Sequence, residues 1–182
     1  MPDGQKVPSP QRSSFLRTAR PLEISLLLRP HPSGGQFDLT GPVARDLVVN
    51  ALLDQGYRDP TKHGDIAQLR ARSRPLGFLL DDVTSLIRVP RKAARFLTQD
   101  HRLYIAPIGP YTGGGEQVLI EAHGESGEIA GLAVADALQR AMPAMMKHAM
   151  IDVGQWSESK RVLWSAVKMG AFTGNVPNPS EE

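Results

Sequence analysis

We predict an α+β fold, in which a small mixed or antiparallel sheet of about three strands is covered by five or six helices. Two strand-like runs, Leu103–Ile108 and Gln117–Ala122, flank a glycine-rich loop, which is the pattern of a β-hairpin across residues 102–122. Elsewhere in the chain, apolar residues recur at helical spacing. No alternation of strands and helices is long enough for a doubly wound parallel sheet.

The first strand and the first helix are predicted in the N-terminal third. Leu22–Arg29 is an apolar, leucine-rich run that a proline- and glycine-containing loop ends. Thr40 or Gly41 then supplies a helix cap, and Pro42 suits the first turn of a helix because its missing N–H needs no partner there. This helix is predicted to run to about Gln55 and to end at Gly56, a residue type that favours helix C-termini.

Three helices are predicted in the middle of the chain. Asp59-Pro60-Thr61 resembles a helix start, so we expect a surface helix over Lys62–Arg72. Leu76–Arg88 carries leucine, valine and isoleucine at the spacing of an amphipathic helix. Pro90 separates it from a short basic helix, Arg91–Thr98.

The loop of the predicted hairpin, Gly109–Gly115, does not match a nucleotide-binding motif. It lacks the Lys-Ser/Thr pair of a P-loop, and a strand follows it where such motifs require a helix. Its glycines suit either a plain flexible turn or a flap that lets a partner approach the backbone. Tyr111 at its tip is the residue predicted to contact such a partner.

Two helices are predicted after the hairpin. A long one is expected over Gly127–Met150, which Pro143 should kink or split because it removes a backbone donor and clashes with the preceding turn. A turn is predicted to follow at Asp152-Val153-Gly154. Ser157 is predicted to cap a final helix that runs to about Met169 and ends at Gly170.

Composition indicates one domain. The chain has 182 residues, of which 41% are hydrophobic. We predict a single α+β domain over residues 22–171, a disordered basic tail over residues 1–21 and a flexible tail over residues 172–182. The chain contains no cysteine, which excludes disulfides and thiolate metal sites and fits a cytoplasmic location. No apolar run is long enough to span a bilayer, so no membrane insertion is predicted.

Charge is distributed unevenly along the chain. Residues 58–102 hold ten Lys/Arg and five Asp/Glu, whereas residues 114–158 hold two Lys/Arg and seven Asp/Glu. These charges either form solvated faces, or neutralise each other within the fold, or bind a partner of opposite charge. Nucleic acid is one such partner, and the phosphate-binding candidates are Arg70, Arg72, Arg74, Arg91 and Arg95.

Ionisable side chains converge at the base of the predicted hairpin. If the strands pair symmetrically about the loop, His101 lies close to His123, and Glu121 shares a face with His123. Two histidines and a carboxylate can act as acid–base groups. The alternative is that they are ordinary polar residues at strand ends with no catalytic role. No further ligand stands at metal spacing, so neither a metal nor a cofactor is predicted.

A methionine-rich stretch offers a candidate contact surface. On a continuous helix, four methionines would share one face, which either fills an irregular core or forms an apolar interface. The two tryptophans of the chain flank the final helix and are typical core or docking residues. The predicted partner-binding residues, besides Tyr111, are Met142, Met145, Met146, Met150 and Trp164.

The leading functional hypothesis is a non-catalytic interaction protein, a subunit or regulator of a larger protein assembly or a homo-oligomer. It would bind through the methionine- and tryptophan-rich helical face and through the glycine-rich hairpin flap. One alternative is a small enzyme that uses His101, Glu121 and His123 beneath the flap. The second alternative is nucleic-acid binding through the arginine-rich segment 58–102.

Overall fold

One antiparallel sheet of seven strands organises the part of the molecule that the structure describes. The computed structural model describes residues 6–10, 20–32, 38–73, 99–124 and 127–170. The strands are β1 (Leu22–Pro30), β2 (Arg58–His63), β3 (Ile66–Ser73), β4 (Gln99–Pro110), β5 (Glu116–Gly124), β6 (Ala149–Val153) and β7 (Ser157–Glu158). The helices in this part of the chain are α1 (Gly41–Asp54), α2 (Gly127–Met145) and α3 (Val162–Met169).

The strand order is β2-β3-β4-β5-β1-β6, and β7 pairs with the other end of β1. Every pairing is antiparallel. The fold is therefore α+β, but the predicted small sheet of about three strands covered by five or six helices is wrong. Within the described ranges the sheet has seven strands and only three helices accompany it.

The two faces of the sheet carry different layers. Because side chains alternate along a strand, one face receives the odd positions of β3 and β4 and the even positions of β1 and β5. Helices α1 and α2 cover this face and bury the larger core. Its strand residues include Ile24, Leu26, Leu28, Leu69, Leu103, Ile105, Val118 and Ile120.

Helix α3 lies on the opposite face. There Leu163 packs against a smaller apolar cluster contributed by the three central strands. This cluster consists of Ile66, Tyr104, Ala106 and Leu119, with Trp164, Ala166 and Val167 partly buried beside it. A helix of two turns covers only part of a sheet face, so strand residues beside α3 remain accessible.

The predicted surface helix over Lys62–Arg72 is wrong, because these residues form the β2–β3 hairpin. Strand β2 is an exposed edge strand with little β propensity, so its residues give no strand signal. The sequence of strand β3, in contrast, does carry a strand signal. Ala67, Leu69 and Ala71 alternate with polar residues, which is the period of a strand buried on one face.

The helix predicted over Gly127–Met150 is also too long. Helix α2 passes through Pro143 and ends at Met145, and the chain re-enters the sheet as β6. The predicted turn at Asp152-Val153-Gly154 therefore begins within that strand, where Leu27 pairs with Asp152. Ser157 lies in β7 and does not cap the final helix.

The sequence-based predictions of helix α1 and of the β4–β5 hairpin are confirmed. Helix α1 has Thr40 at its N-cap, ends at Asp54 and is followed by Gly56 with φ of 97°. Strands β4 and β5 pair as the predicted hairpin, with Leu103 opposite Ala122. The helices predicted at Leu76–Arg88 and Arg91–Thr98, and the tail 172–182, lie outside the described residues. None of the described helices has the length and apolarity needed to cross a membrane.

The hairpin loop is closed by main-chain contacts. The N–H of Tyr111 donates to the carbonyl of Gly115 at 3.0 Å, and the N–H of Gly114 donates to the carbonyl of Tyr111 at 2.8 Å. Gly115 has φ of 108°, and a Cβ added there would lie 2.3 Å from the carbonyl oxygen of Leu28. The loop therefore depends on glycine at position 115 for close contact with β1 as well as for its backbone conformation.

Gly115→Ala should destabilise the protein by about 3 kcal/mol, because the methyl group meets backbone that cannot move away and the positive φ is strained. Gly114→Ala is the matched control, since Gly114 also has a positive φ of 84° but has no atom within 4 Å of an added Cβ. Its cost should be about 1 kcal/mol. Urea unfolding of both variants measures the difference, and equal losses would contradict the contact with Leu28.

Candidate functional site

The hairpin base separates the predicted acid–base residues onto two faces. Glu121 and His123 lie on the α3 face, with His123 Nε2 hydrogen-bonded to Glu121 Oε2 at 3.0 Å. His101 lies on the opposite face, where it is buried against Tyr57. The structure therefore brings Glu121 and His123 together and places His101 on the other side of the sheet.

Glu121 is fully buried and holds the first turn of α3. Its Oε1 accepts the N–H of Leu163 at 2.8 Å, and its Oε2 accepts the N–H of Trp164 at 3.1 Å. These are two of the N–H groups that a helix leaves unpaired at its N-terminus. The residue at the N-cap, Arg161, is left-handed and offers no side-chain cap, so a carboxylate from β5 takes that role.

A second carboxylate lies directly beside the first. Glu23 pairs with Glu121 across the β1–β5 ladder, and its Oε2 accepts the N–H of Lys160 at 3.2 Å. Burial raises the pKa of Glu23 above its ordinary value of 4.5, and the nearby charge of Glu121 acts in the same direction, whereas hydrogen bonds from Ser159 and Lys160 oppose it. The two acids together bind the chain that enters α3.

His123 is surrounded by aromatic rings. It meets Tyr104 edge-on, with ring centroids 5.1 Å apart, and stacks on Trp164 at 6.3 Å. Lys168 Nζ lies 5.9 Å from the Trp164 ring centroid, on the next turn of α3. The side chain of His123 is only 16% exposed, so its ring mainly packs between α3 and the sheet.

His101 has a different environment. The Tyr57 hydroxyl lies 2.9 Å from His101 Nε2, and the two rings meet edge-on within the main core. Burial raises the pKa of the Tyr57 hydroxyl well above its ordinary value, which keeps it neutral as a hydrogen-bonding group. This pair joins the segment after α1 to the start of β4.

These contacts show that Glu121 and His123 hold helix α3 against the sheet. Both oxygens of Glu121 already accept hydrogen bonds from the backbone of α3, and the ring of His123 is held between two aromatic side chains. Within the described part of the chain, no three His, Asp or Glu side chains lie together as a metal site.

A row of arginines crosses the α3 face next to this cluster. Arg58 pairs with Arg70 across β2 and β3, and Arg70 pairs with Arg102 across β3 and β4. Arg102 in turn pairs with His123. Directly paired residues in antiparallel strands point to the same face, so the three arginines stand side by side. We call Arg58, Arg70 and Arg102 the arginine row.

All three members of the arginine row are exposed. None of them forms an ion pair with a carboxylate among the side chains that the structure describes. Like charges directly opposite each other in a sheet are unfavourable. The row is therefore a concentrated positive surface that this part of the fold leaves uncompensated.

Within the described residues, the acids of segment 114–158 do not form an exposed negative surface comparable to the positive surface of the arginine row. Asp136 pairs with Arg140, Asp152 with Arg29, and Glu158 with Arg20. Glu121 is buried beneath α3. Four acids of residues 114–158 are thus paired with an arginine or buried in the part of the chain that the structure describes, whereas the arginine row has no such carboxylate partner there.

The remaining predicted contact residues are dispersed. Met142 and Met145 are core residues, 2% and 1% exposed, and Met146 packs beside them. Met150 lies on β6 and is exposed, so the four methionines do not form one surface. Tyr111 at the loop tip is 45% exposed, and Trp164 is half-buried.

The structure describes part of the predicted phosphate-binding set. Arg70 belongs to the arginine row, and Arg72 follows it on β3, opposite Asp100. The predicted candidates Arg74, Arg91 and Arg95 lie outside the described residues. Comparison with known proteins adds nothing to this geometry, because no family model, no curated protein and no solved structure matches the chain.

Two residues of the row were missed by sequence reasoning, and the reason is their spacing. Arg58 and Arg102 are far from Arg70 along the chain, and only the strand register brings them together. The alternation of polar and apolar residues along β3 was the available signal, because it places Arg70 on the face opposite Leu69.

Glu121→Ala should cost about 3 kcal/mol, because it leaves two buried N–H groups of α3 without an acceptor and opens a cavity. Glu121→Gln retains one acceptor oxygen and should cost about half as much. Urea unfolding followed by near-ultraviolet circular dichroism measures both losses. The control is Glu158→Gln, an exposed glutamate on β7. A loss for Glu121→Ala no larger than for the control would contradict the capping role.

The stability of the protein should also depend on pH through Glu23. Because its folded pKa is raised, the contribution of protonated Glu23 is fully present below pH 4.5 and is lost as the pH rises through the folded pKa. Glu23→Gln removes this loss, so the unfolding free energy of the variant should improve relative to wild type between acidic and neutral pH. Glu158→Gln serves as control, and a Glu23→Gln variant that loses stability relative to wild type as the pH rises from acidic to neutral would refute the assignment.

Proposed function

We propose that this chain is a non-catalytic interaction protein that binds the phosphate backbone of nucleic acid through the arginine row. The single observation that supports the proposal is the strand register, which aligns Arg58, Arg70 and Arg102 on one exposed face without a carboxylate partner among the described side chains. Such an arrangement costs stability in the free protein and is relieved when an anionic chain lies along it.

The spacing of the row suits a linear polyanion. Neighbouring strands are about 4.8 Å apart, so the three Cα positions span roughly 10 Å across the sheet. A nucleic-acid strand carries one charge per about 3.4 Å of axis, so two or three successive phosphates fall within this span. Flexible arginine side chains accommodate the difference between the two spacings.

The residue type also favours phosphate. All three positions hold arginine, whose planar guanidinium group donates two parallel hydrogen bonds to a phosphate or carboxylate. Lysine would supply charge without that geometry. Lys168 adds a further cation on α3, where its Nζ lies 5.9 Å from the Trp164 ring centroid.

An acidic peptide fits this surface less well. The row runs inward from the edge strand β2, and on β3 and β4 the main-chain groups are already paired with the neighbouring strands. A peptide bound there gains no main-chain hydrogen bonds, which are a main source of affinity at sheet edges. A nucleic acid needs none, because its charge lies in its own backbone.

The cluster at Glu121 supports a binding role over an enzymatic one. Its carboxylate is used to hold α3, and His101 is on the far side of the sheet. Binding through phosphates requires no reactive group and no discrimination between bases. We therefore expect affinity that depends strongly on salt and weakly on sequence.

Fluorescence anisotropy with a labelled single-stranded 20-mer and its duplex tests the proposal. Three phosphate contacts predict a slope of log Kobs against log[salt] of about −2 for the single strand and about −2.7 for the duplex. Raising the salt from about 50 mM to 200 mM should therefore weaken single-strand binding roughly 16-fold. Each of Arg58→Gln, Arg70→Gln and Arg102→Gln should reduce the single-strand slope by about 0.7.

Arg140→Gln is the matched control, because it removes one exposed arginine from α2, on the other side of the sheet. It should leave affinity and slope unchanged. Urea unfolding of the three row variants should show no loss of stability. Any loss of affinity in these variants then reflects lost phosphate contacts and not partial unfolding. If the triple variant binds as wild type does, the proposal fails. Equal competition by poly-glutamate would instead assign the row to an acidic protein partner and would also overturn it.

A further inference from the structure

A short segment near the N-terminus lies along α2. Val7 is buried, and its N–H donates to Gln139 Oε1 at 2.7 Å. The carbonyl oxygen of Pro8 accepts the Nε1–H of Trp156 at 2.7 Å. Pro10 is buried as well. We call Lys6–Pro10 the N-terminal strap; these residues fall within the tail predicted to be disordered.

The strap runs antiparallel to the helix. Val7 lies at Gln139, near the C-terminal end of α2, whereas Pro10 lies at Gly131, two turns earlier. Eight residues of helix rise about 12 Å, and three residues of polyproline-type chain span roughly 9 Å, so the strap is extended. A Cβ added to Gly131 would lie 3.2 Å from Pro10 Cγ and 3.0 Å from Leu22 Cδ1. The glycine thus makes room for the proline ring.

The contacts with the strap are those of a peptide-recognition groove. Gln139 and Trp156 bind main-chain groups, which any extended peptide presents. The apolar part of the groove accepts the side chain of Val7 and the ring of Pro10, three residues further along the extended chain. Proline-rich segments in the polyproline conformation bind in grooves lined by aromatic side chains, as Trp156 lines this one.

We propose that this groove, formed by Leu22, Gly131, Gln139 and Trp156, is a binding site for extended proline-containing peptides, and that the chain's own strap occupies it in cis. A tethered segment has an effective concentration in the millimolar range, so the strap excludes weak ligands until it is released. The occupant that the groove selects is an aliphatic residue followed by proline, with a second proline two residues later.

This site is independent of the proposed nucleic-acid surface. The groove lies on the side of the sheet that α1 and α2 cover, because Leu22 shares its face with Ile24 and Leu26. The arginine row lies on the α3 side. Both surfaces can therefore be occupied in one molecule, and the failure of one proposal leaves the other standing.

The test uses the indole signals of the full-length protein. The chain has two tryptophans, so a ¹⁵N-labelled sample gives two indole N–H peaks. Val7→Asp, with Val7→Ser as a milder second variant, should release the strap and shift the Trp156 indole proton upfield, because its hydrogen bond to Pro8 is lost. Trp164 lies on α3 and its signal should not move.

A capped peptide with the strap sequence Lys-Val-Pro-Ser-Pro is then added. It should return the Trp156 signal of either variant to the wild-type position, with a dissociation constant well below about a millimolar, because a strap at millimolar effective concentration fills the groove only if its dissociation constant lies below that concentration. The same peptide with aspartate in place of valine should not. Wild type should show no shift with either peptide, because its groove is filled by an identical segment.

Three results would overturn the proposal. The Trp156 signal could be the same in wild type and both variants, which would mean that the strap is not seated. The peptide could fail to restore the signal at about 10 mM, which would mean that the groove holds the strap only through its tether. Sedimentation could show that wild type is a dimer and that the variants are monomers, which would assign the groove to exchange of straps between two copies.

Discussion

The placement of α3 depends on two buried carboxylates that face each other across β1 and β5. Glu23 and Glu121 accept N–H groups from the chain that enters this helix. Placing two acids side by side in a sheet is unfavourable, and the cost is offset by the positive end of the helix and by backbone donors. Because α3 has only two turns, its own propensity cannot fix its position. The acids therefore decide where the second apolar cluster forms and which part of that face stays open.

The register of the sheet follows from the alternation of its strands, and the surface features follow from the register. Leu69, Leu103 and Ile120 must point towards α1 and α2, so their neighbours in sequence point towards α3. Arg70 and Arg102 are thereby fixed on the same face as Glu121 and His123. A shift by one residue would bury the arginines and expose the core. The arginine row is thus a direct consequence of how the main core is packed.

The parts of the fold with local signals were predictable, and the rest were not. Helix α1 and the β4–β5 hairpin carry caps, glycines and alternating residues within a single segment. The β2–β3 hairpin carries a misleading local signal, because Asp59-Pro60-Thr61 resembles a helix start while Asp59 takes a positive φ of 54° beside a bulge. The methionines were expected on one helical face, but the chain leaves α2 at Met145 because the edge of β1 offers Ala149 and Ile151 a paired and buried place. The pairing of Glu121 with His123 was visible from their spacing, but their contact with α3 depends on residues about forty positions away.

The two tryptophans lie on opposite faces of the sheet and play the same structural role on each. Trp156 packs against the main core and uses its indole N–H to bind the carbonyl of Pro8. Trp164 packs on the opposite face, where its ring stacks on His123 and its backbone N–H is held by Glu121. Each therefore joins a peripheral segment to the sheet through one hydrogen bond and one large apolar contact. The strap is held by the side chains of Gln139 and Trp156, which bind its main-chain groups. Helix α3 is held by two buried carboxylates, which would lose their hydrogen-bond donors if the helix moved away. The strap is therefore the element that can dissociate without leaving a carboxylate unpaired.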